Sequence, residues 1–350
     1  MRKMWLIIVM SVALVALSGC AFLGTAPFGS KPKGSRLERI RRSPNYRQGA
    51  FRNQEPTLMM AAGQQKFPPK APRGVPSPGE IKTVRTNLHT LLPDNQFVWF
   101  GHSSYLLQLG GVRYLVDPVF YAASPVGFIN KPFPEADIYK PQDMPDTIDY
   151  LVITHDHYDH LDYRTVKELR HKVGKVICPL GVGAHLERWG YDNSRLVELD
   201  WYESAPLVSD TIVCLPSRHF SGRSLKGRQT LWASFMLNTP SGRIFIGGDG
   251  GYDGRFARFR QQFGPIDLAI IENGQYDARW PQIHTRPDEL AQVMSDLAAD
   301  CYITVHHSKF KEANHPWDEP LHNELEAARL AGTRLVVAQI GEPVHVLIPE

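Results

Sequence analysis

The sequence predicts a mixed α/β layer fold over residues 97–350. Three observations predict it. Short runs rich in Val, Ile, Tyr and Phe recur along the chain. Helical patterns are spread among them and are not gathered at one end, which argues for layers of both kinds. Turn signals such as Gly110-Gly111 and Ser241-Gly242 separate neighbouring runs. Taken in order, Phe97–Phe100, Ser104–Leu109 and Val112–Val116 read as strands, the last two as a hairpin. Tyr150–Ile153 is a strand and Tyr163–Val173 a helix, with Asp162 as its N-cap. Strands are then expected at Lys175–Cys178, Arg195–Leu199, Thr211–Leu215, Leu231–Leu237, Arg243–Ile246, Leu268–Ile271, Tyr302–Val305 and Leu335–Ala338. Helices fit Val182–Trp189, Pro287–Ala299 and Pro320–Ala331. A single domain of about 250 residues accommodates all of this.

Composition narrows the function classes. The chain is 43% hydrophobic and 21% charged, ordinary globular values that exclude a fully disordered chain. Lys plus Arg number 39 against 36 acidic residues, a net charge of +3, so no electrostatic argument points to a nucleic-acid partner. Only one apolar run, Trp5–Leu17, is long enough to matter, which excludes a polytopic membrane protein. It follows Arg2-Lys3 and ends in Leu17-Ser18-Gly19-Cys20, and so resembles a bacterial lipobox. Residues 1–20 are therefore expected to be a lipoprotein signal peptide, with Cys20 lipidated and anchoring the chain in a membrane. Ala21, where a retention signal would place Asp, favours the periplasmic face of the outer membrane. Residues 21–96 are proline-rich without a clean apolar period, and read as a tether and extended N-terminal arm. Its basic run Arg36–Arg42 either touches anionic headgroups or is a solvated face. Cys178, Cys214 and Cys301 are expected to be buried structural thiols. Nothing in the sequence speaks to oligomeric state.

The chemistry concentrates in Thr154-His155-Asp156-His157-Tyr158-Asp159-His160, directly after a strand. His155 and His157, two apart on extended chain, project to one side. Asp159 and His160 follow in the turn and can face the same spot. Imidazoles and a carboxylate suit Zn²⁺, and also Fe or Mn. Burying three histidines and two aspartates without a metal or partners would be costly.

This His-x-His-x-Asp-His pattern resembles that of the metallo-β-lactamase fold superfamily. More narrowly, several segments resemble the N-acylphosphatidylethanolamine-hydrolysing phospholipase D family. They are Gly101-His102-Ser103, Asp117-Pro118-Val119-Phe120, His155 to Tyr163, Pro179-Leu180-Gly181, Glu198 to Trp201, Gly248 to Tyr252 and His306 to Pro320. The resemblance implies an αββα four-layer sandwich for residues 97–350, a hydrolase domain with two divalent metal ions. It implies that His155, His157 and His219 hold one ion and that Asp159, His160 and His306 hold the other, with Asp249 between them. Asp159 and His284 would be the catalytic groups, His284 assisting the leaving group or orienting the phosphate. Asp117 would orient ligands from behind, and His102 would lie at the site's rim. His315 and Trp317 would wall the pocket. His307, next to His306, would face away, since successive strand residues do. The segment His307-Ser308-Lys309 departs from the family's Trp followed by small residues, which alters one wall of the pocket.

The implied reaction is hydrolysis of a phospholipid phosphodiester, yielding phosphatidic acid and an N-acylethanolamine. The same metals would serve another hydrolase of this fold, such as a lactonase. A non-catalytic metal-binding envelope lipoprotein is the reading from a different class, and two complete ligand sets argue against it.

Overall fold

In a computed structural model of the chain, residues 23–61, 74–90, 92–208 and 210–346 are described. The signal peptide expected at 1–20, Cys20 included, lies outside them. No helix among the described residues is long and apolar enough to cross a membrane.

The N-terminal part departs from the extended arm expected of it. Gly34–Arg42 forms helix α1, followed by the small hairpin of β1 (Tyr46–Arg47) and β2 (Ala50–Phe51). Ile40 on α1 and Phe51 on β2 are fully buried in the core between the large sheets. At Arg36 and Arg39 the basic run is tied to carboxylates of the domain. Arg36 bonds Glu198 at 2.9 Å and Glu187 at 2.6 Å, and Arg39 bonds Glu203 at 2.5 Å. Carboxylates on the domain surface thus decide the conformation of a segment whose own sequence shows no period.

The first large sheet begins with β3 (Gln96–Trp99), β4 (Tyr105–Leu109) and β5 (Val112–Val116), an antiparallel meander. Three parallel strands extend it: β6 (Ile148–Val152), β7 (Val173–Pro179) and β8 (Leu196–Leu199). Helices α2 (Tyr163–Leu169) and α3 (Gly183–Arg188) make the parallel crossovers. Asp162 caps α2 as expected, accepting from the amides of Arg164 and Thr165. The helix stops four residues early because Val173 already pairs with Ile148 in the sheet.

The second sheet holds β9 (Ser204–Pro206), β10 (Thr211–Leu215), β11 (Ser234–Thr239) and β12 (Gly242–Ile246) in antiparallel order. Parallel strands β13 (Ile266–Glu272), β14 (Ala299–Val305) and β15 (Arg334–Leu335) follow. Helices α4 (Arg255–Phe263), α5 (Pro287–Leu297) and α6 (Glu319–Ala331) connect them. A last strand, β16 (Pro343–His345), returns to pair with β3. The short strands β9 and β16 and helix α4 were not expected. The run that forms α4 is largely Arg and Gln, and its helical stripe is only Phe256, Phe259 and Phe263.

Three apolar clusters show four layers. One, containing Trp99, Leu107, Ile212, Phe235 and Ile244, fills the space between the sheets. A second joins the outer face of the first sheet to α2 and α3 through Val166, Leu169 and Leu186. The third joins the outer face of the second sheet to α4, α5 and α6 through Phe259, Val293 and Ala327. This is the αββα sandwich. The thiols of Cys178, Cys214 and Cys301 are buried and free.

Candidate metal centre

The parallel halves of both sheets end at the same edge of the sandwich. His155 to His160 follow β6, His219 lies beyond β10, Asp249 follows β12, and His306 follows β14 directly. The chain must turn sharply to bring these groups together. Gly248, at φ 58°, has room for no side chain: a Cβ would lie 2.9 Å from the Ala233 carbonyl oxygen and 2.9 Å from Thr154 Cβ. Several non-glycine residues at this edge also adopt left-handed conformations, including His102 (φ 53°), Asp117 (φ 39°) and His306 (φ 75°). Such strain of about 1–3 kcal/mol per residue persists where surrounding structure over-determines it, and it clusters at functional sites.

The imidazoles of His155, His157 and His219 form one group of potential ligand atoms. His155 Nε2 and His219 Nε2 lie 2.9 and 3.2 Å from His157 Nδ1. A second group is Asp159, His160 and His306, joined by His102. Asp249 touches both. Its Oδ1 is 3.2 Å from His160 Nε2, and its Oδ2 is 3.4, 3.7 and 3.9 Å from His306, His219 and His155. His160 Nε2, His306 Nε2 and Asp249 Oδ1 are buried yet make no hydrogen bond. Buried polar atoms rarely stay unpaired. Converging imidazole nitrogens and carboxylate oxygens of this kind are the donor set of a divalent cation, and the residues fit one.

The outer nitrogens of the ligand rings are held from behind, as metal sites require. Asp117 Oδ2 accepts from His160 Nδ1 at 2.8 Å, and Asp117 also accepts from the Thr154 amide and hydroxyl. His219 Nδ1 donates to the Ile283 carbonyl at 2.8 Å. Thr154 Oγ1 lies 3.1 Å from His155 Nδ1, and Ser103 Oγ lies 3.0 Å from His306 Nδ1. Burial, with neighbouring imidazoles, drives His155, His219 and His306 well below the usual histidine range. Burial also lowers His157 to about 4. All four are therefore neutral, the form that ligates. His160 differs. Burial lowers it, but the charges of Asp249 and Asp159 and the Asp117 bond outweigh burial and raise it well above the usual value. Burial pushes Asp249 up to about 6.

His102 is not at a rim. It is fully buried, 3.0 Å from Asp159 Oδ2, with its ring 4.1 Å from that of His306. His284 lies beside the clusters, its ring 5.1 Å from His219 and 5.2 Å from His306. Its Nδ1 donates to Glu272 Oε2 at 2.7 Å. Burial lowers His284, but the Glu272 charge and hydrogen bond prevail and raise it above the ordinary value. Glu272, the last residue of β13, was not singled out from the sequence. Its signal was an acidic residue closing an apolar strand at the same edge as Asp249. Glu312 was also missed. It hydrogen-bonds Asp159, and burial, with the Asp159 charge, raises it well above the carboxylate range.

His307 turns away as expected, its ring 4.8 Å from Trp99. His315 and Trp317 do not join the clusters. His315 accepts from the Gln275 amide and stacks on Tyr276, and Trp317 packs in the inner core. Both expectations of a pocket wall are corrected: the loop after His306 folds back onto the Gln275–Tyr276 segment. Lys309 is fully buried, donating to the Phe100 carbonyl at 2.8 Å, and burial lowers it to about 7.

A family model described as the beta-lactamase superfamily domain matches residues 112–307, which carry every potential ligand above except His102. The chain belongs to that superfamily. An uncharacterized protein of Mycobacterium tuberculosis is 37% identical over 324 residues, 86% of this chain and 84% of that protein. N-acyl-phosphatidylethanolamine-hydrolyzing phospholipase D 1 of Caenorhabditis elegans is 34% identical over 230 residues, 59% of this chain and 62% of that protein. Among solved structures, a metallo hydrolase of the archaeon Ignicoccus hospitalis superposes with a TM-score of 0.54 at 17% identity, covering 71% of this chain and 97% of its own. The likeness to that structure concerns the fold. This superfamily member is thus a metallo-β-lactamase fold hydrolase with residues arranged to bind divalent metal.

Proposed function

We propose that the protein is a dinuclear metal phosphodiesterase. Its substrate would be N-acylphosphatidylethanolamine or a related phospholipid, cleaved with phospholipase D regiochemistry. The observation that carries this reading is Asp249, whose two oxygens reach both histidine groups. His155, His157 and His219 would hold one ion, Asp159, His160 and His306 the other, with zinc the expected metal. Such ions supply Lewis acidity and lower the pKa of water toward neutrality. The chain's own contribution is orientation. Asp117 fixes the His160 tautomer, and His102 steadies Asp159. Glu272 holds the Nδ1 proton of His284, so that Nε2 can hold a proton for the departing alkoxide or bond a phosphate oxygen. The similarity to the nematode phospholipase supports the substrate class. The lipobox supports a lipid-anchored envelope protein at the periplasmic face of the outer membrane.

The test is hydrolysis of N-acylphosphatidylethanolamine by the purified protein, followed as phosphatidic acid and N-acylethanolamine. Activity should vanish with chelator and return with Zn²⁺. Cleavage of lactones with phospholipids untouched would replace the substrate assignment.

A further inference from the structure

The start of the described chain is strapped to the domain and is no loose tether. Arg188 bonds the Gly24 carbonyl at 2.5 Å and also that of Gly29. Trp189 Nε1 bonds the Ala26 carbonyl at 2.8 Å, and Arg223 bonds that of Pro27 at 2.7 Å. The Ser30 amide donates to His185 Nδ1 at 2.9 Å. His185 and Arg223 are themselves fastened to Asp156 inside the metal motif, at 3.1 and 2.8 Å. Leu23 borders a cavity of about 260 Å³ together with Arg223, Ser224 and Lys226. Leu23 lies three positions after Cys20. At about 3.6 Å per residue their Cα atoms lie within about 11 Å of each other. An acylated Cys20 would therefore hold this particular face at the bilayer.

That face carries apolar tips. Leu225 is 89% exposed, Phe128 77% and Ile129 50%. A second cavity, of about 700 Å³, joins the two loops: Pro27, Gly127, Lys131, Tyr158 and Arg223 line it. Lys31, Lys33, Lys131 and Lys226 are exposed around these tips. The carboxylates nearby are occupied: Asp137 by Lys140, Asp156 by His185, and Asp162 by the first turn of α2. Apolar tips among lysines that have no acidic partner among the described residues are suited to an interface with anionic headgroups.

We propose that loops 124–131 and 222–227 form a docking face that seats the domain on an anionic phospholipid surface, with Phe128, Ile129 and Leu225 entering the headgroup region. The proposal rests on the reading of Cys20 as the anchor. It also brings the substrate's membrane to the metal motif, since Tyr158, between His157 and Asp159, lines the same cavity.

The test uses the full-length lipidated protein in vesicles of phosphatidylethanolamine and phosphatidylglycerol. Because Cys178, Cys214 and Cys301 are buried, Phe128→Cys or Leu225→Cys takes an environment-sensitive fluorophore selectively. Both labels should shift to shorter wavelength and lose intensity to brominated lipid, as befits a probe about 5–10 Å into the headgroup boundary. The same label at Leu330→Cys, exposed on α6, should do neither. Labels at 128 and 225 that stay water-exposed on bound vesicles overturn the proposal. Labels shielded from water but unquenched by bromolipid overturn it too, and point to a second copy of the chain. The readout is independent of turnover. A docked protein that cleaves no phospholipid would refute the phospholipase assignment and leave the docking face standing.

Discussion

Replacing Asp117 with Asn probes whether the groups behind the ligands set metal affinity. The native carboxylate accepts three hydrogen bonds: Thr154 N at 2.8 Å, Thr154 Oγ1 at 2.5 Å and His160 Nδ1 at 2.8 Å. The last turns His160 Nε2, the atom that would take a metal once deprotonated, toward Asp159 and Asp249, each at 3.2 Å. Asn keeps the volume, the Oδ1 acceptor and the tolerance of φ 39°. It places an amide N–H₂ where Oδ2 stood, against the His160 Nδ1 proton. The ring can relieve that contact only by moving its proton to Nε2, which removes the metal-binding lone pair. Loss of such a partner typically costs 10–100-fold in metal affinity, about 1.4–2.7 kcal/mol. Competition with graded chelators, read by elemental analysis and by the metal-dependent shift in melting temperature, measures it. Asp117→Asn protein that binds metal within about twofold of native affinity, on the scale of that loss, would refute the argument.

Four further outcomes are expected. His284→Ala should retain metal and lose about 10²–10⁴ in rate on an unactivated phosphodiester, with a smaller loss on a p-nitrophenyl ester; equal losses on both would assign His284 to phosphate positioning. Glu272→Gln removes the charge that raises His284, so the His284 pKa should fall and the basic limb of the rate profile should shift to lower pH. Asp156→Asn tests the strap. Burial raises the Asp156 carboxyl, but the hydrogen bond from His185 leads the effects that outweigh burial and hold it at about 2. A depressed carboxyl stabilises above its unfolded pKa and loses that contribution as pH falls toward 2. The variant should therefore be less stable by roughly 2 kcal/mol at pH 7, with the gap to native closing in acid when followed by urea unfolding. Cys20→Ala should abolish acyl labelling and membrane fractionation; a processed, labelled variant would remove the lipobox reading.

His155, His157, Asp159 and His160 were legible because their convergence is local. A period of two on extended chain, then a turn, puts them together whatever surrounds them. His219, Asp249 and His306 were legible only in order, each just past an apolar run, and their roles came by resemblance. Their meeting at one point depends on β6, β12 and β14 ending at a common edge of two packed sheets, which no local pattern states. Glu272 and Glu312 were missed for the same reason. Whether an acid at a strand end or in a loop faces the site depends on register, and a shift of one residue reverses the face. His102 illustrates a finer limit: its place beside a hairpin was readable, but its depth was not. The N-terminal segment marks the opposite extreme. Its prolines and arginines carry no period, so its conformation was set by Glu187, Glu198 and Glu203 and by the groove that takes Ile40. Sequence alone determined the alternating elements and the metal motif, because periodicity and ligand spacing are short-range. The tertiary structure decided which distant carboxylates and imidazoles reach that motif, because that depends on how the two sheets pack.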